Sequence, residues 1–177
     1  MGTIEIGTTI NTVNLTWSTN KDITTQSINN GIGSLATEVR SYTHSGQTIT
    51  TNRTYTITVN DGTQNAVSST SVNFLYKRYW GVTSAATITD ANIFSLNKEL
   101  SGTRTQTRTF DCSGGRYFWI IYPQSYGNAN FKVGGLSFSD MNLEVRTITN
   151  ESGASVTLNI YRVNGIQTGS AINVEVL

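Results

Sequence analysis

One cysteine, one histidine and one proline occur in this chain of 177 residues, and only 13% of it is charged. The single cysteine, Cys112, rules out an intrachain disulfide and a Cys-rich metal site. At the end of an apolar run it reads as a small buried hydrophobe. The single histidine, His44, rules out a multi-His metal site. In YTHSG it precedes a turn and reads as a solvated loop residue, and no GxSxG context recruits it to a triad. Twelve Lys and Arg against eleven Asp and Glu leave a net charge of +1. That supplies no basic field, so binding to nucleic acid by counterion release is not expected. No stretch approaches the roughly 18 apolar residues of a membrane span.

The acidic residues lack EF-hand spacing, and neither a P-loop nor a dinucleotide fingerprint is present. Asp61 and Asp140 lie in polar loops and read as solvated turns before they read as ligands of a weak cation. Glu38, Asp140 and Glu144 stay open as glycosidase carboxylates only if the fold brings two of them together. The expectation is therefore a chain without catalytic residues, cofactor or metal. The N-terminal MGTIEIGTT has no charged start and apolar run, so no cleavable export signal is expected. The Asn-X-Ser/Thr tripeptides at Asn14, Asn52 and Asn150 carry little meaning without export.

What is present is alternation. Val13, Leu15 and Trp17 share one face of VNLTWS; Tyr55, Ile57 and Val59 share one face of RTYTITVND; Val72, Phe74 and Tyr76 repeat the pattern. Period two over short runs predicts half-buried antiparallel strands. Ile4 with Ile6, SLATEVRSY and GQTITTN add further candidates, separated by turns at 29–33, 44–46 and 61–62. Strands so spaced predict an immunoglobulin-like β-sandwich over residues 1–78, with Trp17 in its core and Tyr55 placed for a tyrosine corner. KRYWGVTSA, 77–85, reads as a short aromatic join, with Tyr79 and Trp80 as interdomain packing residues.

Residues 79–177 predict a second antiparallel sandwich, jelly-roll-like, with one short helix near 90–97. In ITDANIFSLNKELSG, Thr89 is the N-cap and Asp90 lies in the first turn. Ile88 and Ile93 form a hydrophobic staple, Ile93, Leu96 and Leu100 an apolar stripe, and Gly102 the stop. TRTQTRTFDC turns through Ser113-Gly114-Gly115 into RYFWIIYP. A bulge at Gly134-Gly135 would put Phe131, Val133, Leu136 and Phe138 on one face. MNLEVRTI alternates through Met141, Leu143 and Val145, and Asn164-Gly165 predicts a hairpin into AINVEVL. No period of 20 to 50 residues repeats, so solenoids and propellers are not expected.

RYFWIIYP is apolar on both faces, Tyr117, Trp119 and Ile121 on one and Phe118, Ile120 and Tyr122 on the other. It needs cover on both sides, because each such side chain left in water forgoes about 1.5–3 kcal/mol. A facing sheet covers one side; the helix, the first domain or another subunit must cover the second. Contiguous aromatics also mark contact surfaces. The candidate contact residues are Trp80, Tyr117, Trp119, Tyr122, Gln124 and Tyr126. A sugar platform in YPQSYGNAN, built on Tyr122, Gln124, Tyr126 and Asn128, is the competing use of the loop; an ordered loop pinned by Pro123 and Gly127 is the plainer one.

Five pieces in order, TYTITVNDG, VNFLYKRYWGVTS, TITDANIFSLNKEL, RTFDCSGGRYFWIIYPQSYG and FKVGG, resemble a β-sandwich module of tailed-bacteriophage virions, found in tail-fibre, baseplate and head-appendage or capsid-decoration proteins. The resemblance runs from about residue 10 to the end. It implies a multimeric, often trimeric, structural protein that is assembled in the host cytoplasm, sits on the virion against other virion proteins and works near host-surface recognition, with a host glycan as a further partner. It carries no catalytic residues to transfer. The chain has no Gly-rich shaft or coiled-coil heptads, so its position on a particle stays open. The competing expectation is a carbohydrate-binding or adhesin module of a bacterial surface protein.

Overall fold

The computed structural model describes residues 2–177 and is all-β, with antiparallel pairing in the ladders that join β2 to β15. The chain divides into two compact units, the first ending at Phe74 and the second spanning Leu75–Leu177.

Unit 1 holds β1 (Thr3–Glu5), β2 (Val13–Thr16), β3 (Thr25–Ile28), β4 (Gly33–Leu35), β5 (Ser41–His44), β6 (Arg53–Asn60) and the first part of β7 (Asn65–Thr83). The order β7-β6-β3-β4 forms one sheet, β1 also pairs with β7, and β2 pairs with β5 alone. Val13 and Leu15 of β2 pack with Ile28, Ile49, Tyr55, Val72 and Phe74, all buried. The alternation read for β2 and for Val72 and Phe74 is thus the alternation found. SLATEVRSY is not one strand: the Val39 amide bonds the Ala36 carbonyl at 3.1 Å, and that turn separates β4 from β5. GQTITTN supplies only an isolated bridge between Ile49 and Ile10. Tyr55 makes no tyrosine corner, since its hydroxyl meets His44 Nδ1 at 3.2 Å and the two rings stand edge-on. His44 is half-buried there, on a strand end and not in a solvated loop.

The division between units falls inside β7, ahead of residue 78. Residues 77–83 are no linker, because β7 is flanked there by β8 (Asn97–Ser101) and β10 (Tyr117–Pro123). Tyr79 and Trp80 consequently belong to the packing of unit 2 itself.

Unit 2 adds helix α1 (Asp90–Ser95), β9 (Gln106–Phe110), β11 (Phe131–Val133), β12 (Leu136–Phe138), β13 (Met141–Thr149), β14 (Ser155–Val163) and β15 (Ile172–Val176). Its larger sheet runs β13-β14-β10-β7-β8, and the smaller one β12-β11-β15-β9. Between them lie Phe110, Phe118, Ile120, Tyr122, Phe131, Tyr161, Val163, Val174 and Val176. The other face of the larger sheet carries Tyr79, Trp119, Ile121, Ile148, Val156, Leu158 and Ile160 against Ile88 and Ile93 of the helical segment. The ribbon of β10 is therefore covered on both faces, by the second sheet and by the helix.

α1 is shorter than expected. Thr89 caps it through a reciprocal pair, Asn92 N–H to Thr89 Oγ1 at 3.2 Å and Thr89 N–H to Asn92 Oδ1 at 3.3 Å. It ends at Ser95, and Asn97 already begins β8, so Leu100 belongs to a strand and Gly102 stops no helix. Leu96 instead packs over Gly81, where a Cβ would come within 2.8 Å of its Cδ2.

Three turn readings change. Gly134 and Gly135, at φ 56° and 82°, close a two-residue hairpin between β11 and β12 and not a bulge; φ above zero at both turn positions is what a tight hairpin requires. β9 does not pair with β10. It pairs with β15, and Phe110 and Phe118 stack across the two sheets at 5.0 Å. Gly165 does not adopt positive φ, and beyond Asn164-Gly165 the chain passes to β15 in the smaller sheet, so no hairpin forms there. Finally, Leu143 and Val145 are exposed and not inward, while Ile148 is the buried residue of β13.

Candidate functional site

The six contact candidates separate by burial. Trp119 is 3% exposed and Tyr122 fully buried. The Trp119 indole N–H donates to Thr83 Oγ1 at 2.7 Å, and the Tyr122 ring stacks on Tyr161 at 5.7 Å. Burial, with Tyr161 beside it, pushes the Tyr122 hydroxyl pKa well above its ordinary value. Neither residue can meet a partner or a sugar, because each sits in a filled core.

Tyr117 is half-buried, with the Arg162 guanidinium 5.3 Å above its ring. Trp80 is half-buried beneath Arg108, whose guanidinium carbon lies 3.5 Å from the ring centroid. Tyr126 lies in the 3-10 turn Gln124–Tyr126. Its hydroxyl donates to the Ser101 carbonyl at 2.5 Å, and its own carbonyl accepts from Arg104 Nη1 at 2.5 Å. That loop is held at Tyr126, leaving Gln124 as the one exposed candidate. Trp80 and Tyr126 both border β8; Tyr117 and Trp119 share a face of β10; Gln124 stands apart. The sugar platform in YPQSYGNAN loses its first residue, Tyr122, to the core.

Charge in unit 2 serves to tie strands. Glu99 accepts from Arg78 at 2.6 Å and from Arg108, and Arg78 also donates to the Thr103 and Thr105 carbonyls. Burial pushes the Glu99 carboxyl up, but the bonds and charges of the two arginines outweigh it and hold it below its usual range. Glu151 lies between Lys77 at 2.7 Å and Lys98 at 2.6 Å, and those bonds lower its pKa. Arg146 joins Glu144 at 2.7 Å to Asp90 at 2.9 Å. Asp140 accepts from Asn164 at 2.7 Å, and the Asp61 carboxylate is held far below its usual pKa by the Thr63 hydroxyl and the Thr63 and Gln64 amides. Among the described residues no group of three His, Cys, Asp or Glu is placed to hold a metal. Cys112 is fully buried, and burial raises its thiol pKa further, with Asp111 adding to the effect.

A feature missed in the sequence lies in unit 1. β6 has eight residues and β2 only four, so the small sheet runs out before β6 does. Ile57 and Val59 are consequently half-buried, and a cleft of about 500 Å³ opens over them. Trp17, expected in the core, packs against it half-buried and forms part of the cleft wall, its indole N–H on Gln26 Oε1 at 3.0 Å. Thr16, Asn20, Gln64 and Asn65 complete a mixed lining, near the Lys21–Asp61 ion pair at 3.6 Å. The unequal lengths of the two alternating runs were the available signal.

No protein-family model, curated protein or solved structure matches this chain. The likeness to phage virion modules rests on the sequence pieces alone.

Proposed function

We propose that the chain is a non-enzymatic structural component of a bacteriophage virion, a tail-fibre, baseplate or capsid-appendage protein that contacts other virion proteins and aids attachment to the host surface. The observation that carries the reading is the use of charge in unit 2. The Arg78–Glu99–Arg108, Lys77–Glu151–Lys98 and Asp90–Arg146–Glu144 groups each bridge separate elements. Carboxylates spent this way hold neighbouring elements together. The ordered resemblance of five sequence pieces to a virion module supports the same reading. The test is immunogold labelling of phage particles, purified by density gradient from a strain that encodes the chain. Label on intact particles is expected; label absent from particles while the chain stays in the soluble lysate defeats the reading.

The unit 1 cleft favours a second reading, a carbohydrate-binding or adhesin module. A partly exposed indole beside hydroxyl and amide groups suits a sugar ring. A glycan array with Trp17→Ala as control tests it: a signal lost in the variant supports it, and silence on every glycan removes it.

A further inference from the structure

β13 ends the larger sheet of unit 2, and no described strand pairs with its outer edge. Its backbone orientation follows from its ends. The Asn164 amide bonds the Asp140 carbonyl at 3.1 Å, and the Asn150 amide bonds the Ala154 carbonyl at 2.8 Å, both in the register of the β13–β14 ladder. Hydrogen-bonded pairs alternate along an antiparallel ladder. The even-numbered residues of β13 therefore bond β14, and Leu143, Val145 and Thr147 aim their N–H and C=O groups outward. On the same odd-numbered set, Leu143 is 40% and Val145 48% exposed. Monomeric proteins usually blunt an open edge with proline, bulges or charge; β13 has no proline and no bulge, and its two charges, Glu144 and Arg146, are of opposite sign and so do not repel a second copy in every register.

We propose that β13 pairs antiparallel with β13 of a second copy of this chain, about a two-fold axis through Val145. Charge favours that register over its two neighbours. With Val145 opposite Val145, Glu144 faces Arg146 of the second copy and Arg146 faces its Glu144. Moving the axis one residue either way sets Glu144 against Glu144 or Arg146 against Arg146. Intermediate slips oppose outward backbone groups to inward ones. In the favoured register the odd-numbered pairs exchange backbone bonds, about six from the three central pairs. The Glu144–Arg146 pairs then fall at the non-hydrogen-bonded positions, where side chains approach most closely. Leu143 and Val145 of both copies form one apolar strip on the opposite face. Arg146 already joins Glu144 and Asp90 of its own chain, and a guanidinium has five donors, enough for one carboxylate more. The pairing does not depend on the virion reading, and either can fail without the other.

Sedimentation velocity of the full chain over a concentration series tests it. A dimer is expected. Glu144→Lys and Arg146→Glu should each weaken it by roughly tenfold, since symmetry repeats every like-charge contact. Mixing the two variants should restore a dimer, because the altered strands become complementary. Val145→Pro should abolish the dimer while circular dichroism stays unchanged, since the lost N–H points away from β14. Register is read by oxidative crosslinking: Val145→Cys should form a disulfide across an expected Cα separation of about 5.5 Å, while Leu143→Cys, offset from its own copy by about 13 Å, should not. A chain that stays monomeric to about 1 mM overturns the proposal, as does a dimer indifferent to both charge reversals or one crosslinked at 143 and not at 145.

Discussion

Ile120 and Ile121 are neighbours on β10 that face opposite ways, each with no exposed surface. Ile120 lies between the two sheets, and Ile121 lies under α1. Truncating either to alanine leaves a cavity that the surroundings close only in part, so each should cost about 2–5 kcal/mol. A strand with one wet face would behave otherwise, with the outward substitution within about 0.5 kcal/mol of no effect. Urea unfolding separates these outcomes: at a slope near 2 kcal/mol per molar, the midpoint should fall by about 1–2.5 M for both variants. A Trp17→Phe background confines the fluorescence signal to Trp80 and Trp119, which both lie in unit 2. If Ile121→Ala leaves the midpoint in place while Ile120→Ala lowers it, the helix-side cluster is not a core, and the two-faced account of the ribbon is wrong.

Thr89→Ala removes the capping pair with Asn92 and should lower unit 2 stability by about 1 kcal/mol in the same assay, with Thr89→Asp near neutral. Gly135→Ala should cost about 1 kcal/mol from backbone strain alone, because φ is +82° and nothing lies within 4 Å of the added carbon; Gly135→Asn should cost less. Glu99 and Glu151 titrate below their ordinary 4.5 in the folded chain, so the unfolded chain takes up protons first as pH falls. The stability they add is complete above pH 4.5 and is lost below it, through the folded-state values. Urea midpoints for unit 2 should therefore hold from pH 7 to about 5 and drop below 4.5, less steeply in Glu151→Gln; a loss that begins near pH 6 would point to other groups.

The alternating runs around Val13, Tyr55 and Phe74 and the apolar ribbon 117–122 made the all-β class and the two-sided burial legible, because period two and side-chain polarity are local properties. The Thr89 cap was legible for the same reason, being written within four consecutive residues. Which strand lies beside which was not: β9 joining β15 and not β10, the passage from Asn164 to the smaller sheet, and the outward turn of Leu143 and Val145 depend on residues far apart in sequence. The candidate site suffered most. Aromatic composition marked Trp119 and Tyr122 as contact residues, yet an aromatic ring looks the same in a core as on a surface until the covering layer is known. Only the tertiary structure, by laying α1 over one face of β10 and the smaller sheet over the other, decided that those rings hold the fold and that β13 forms the end of the larger sheet.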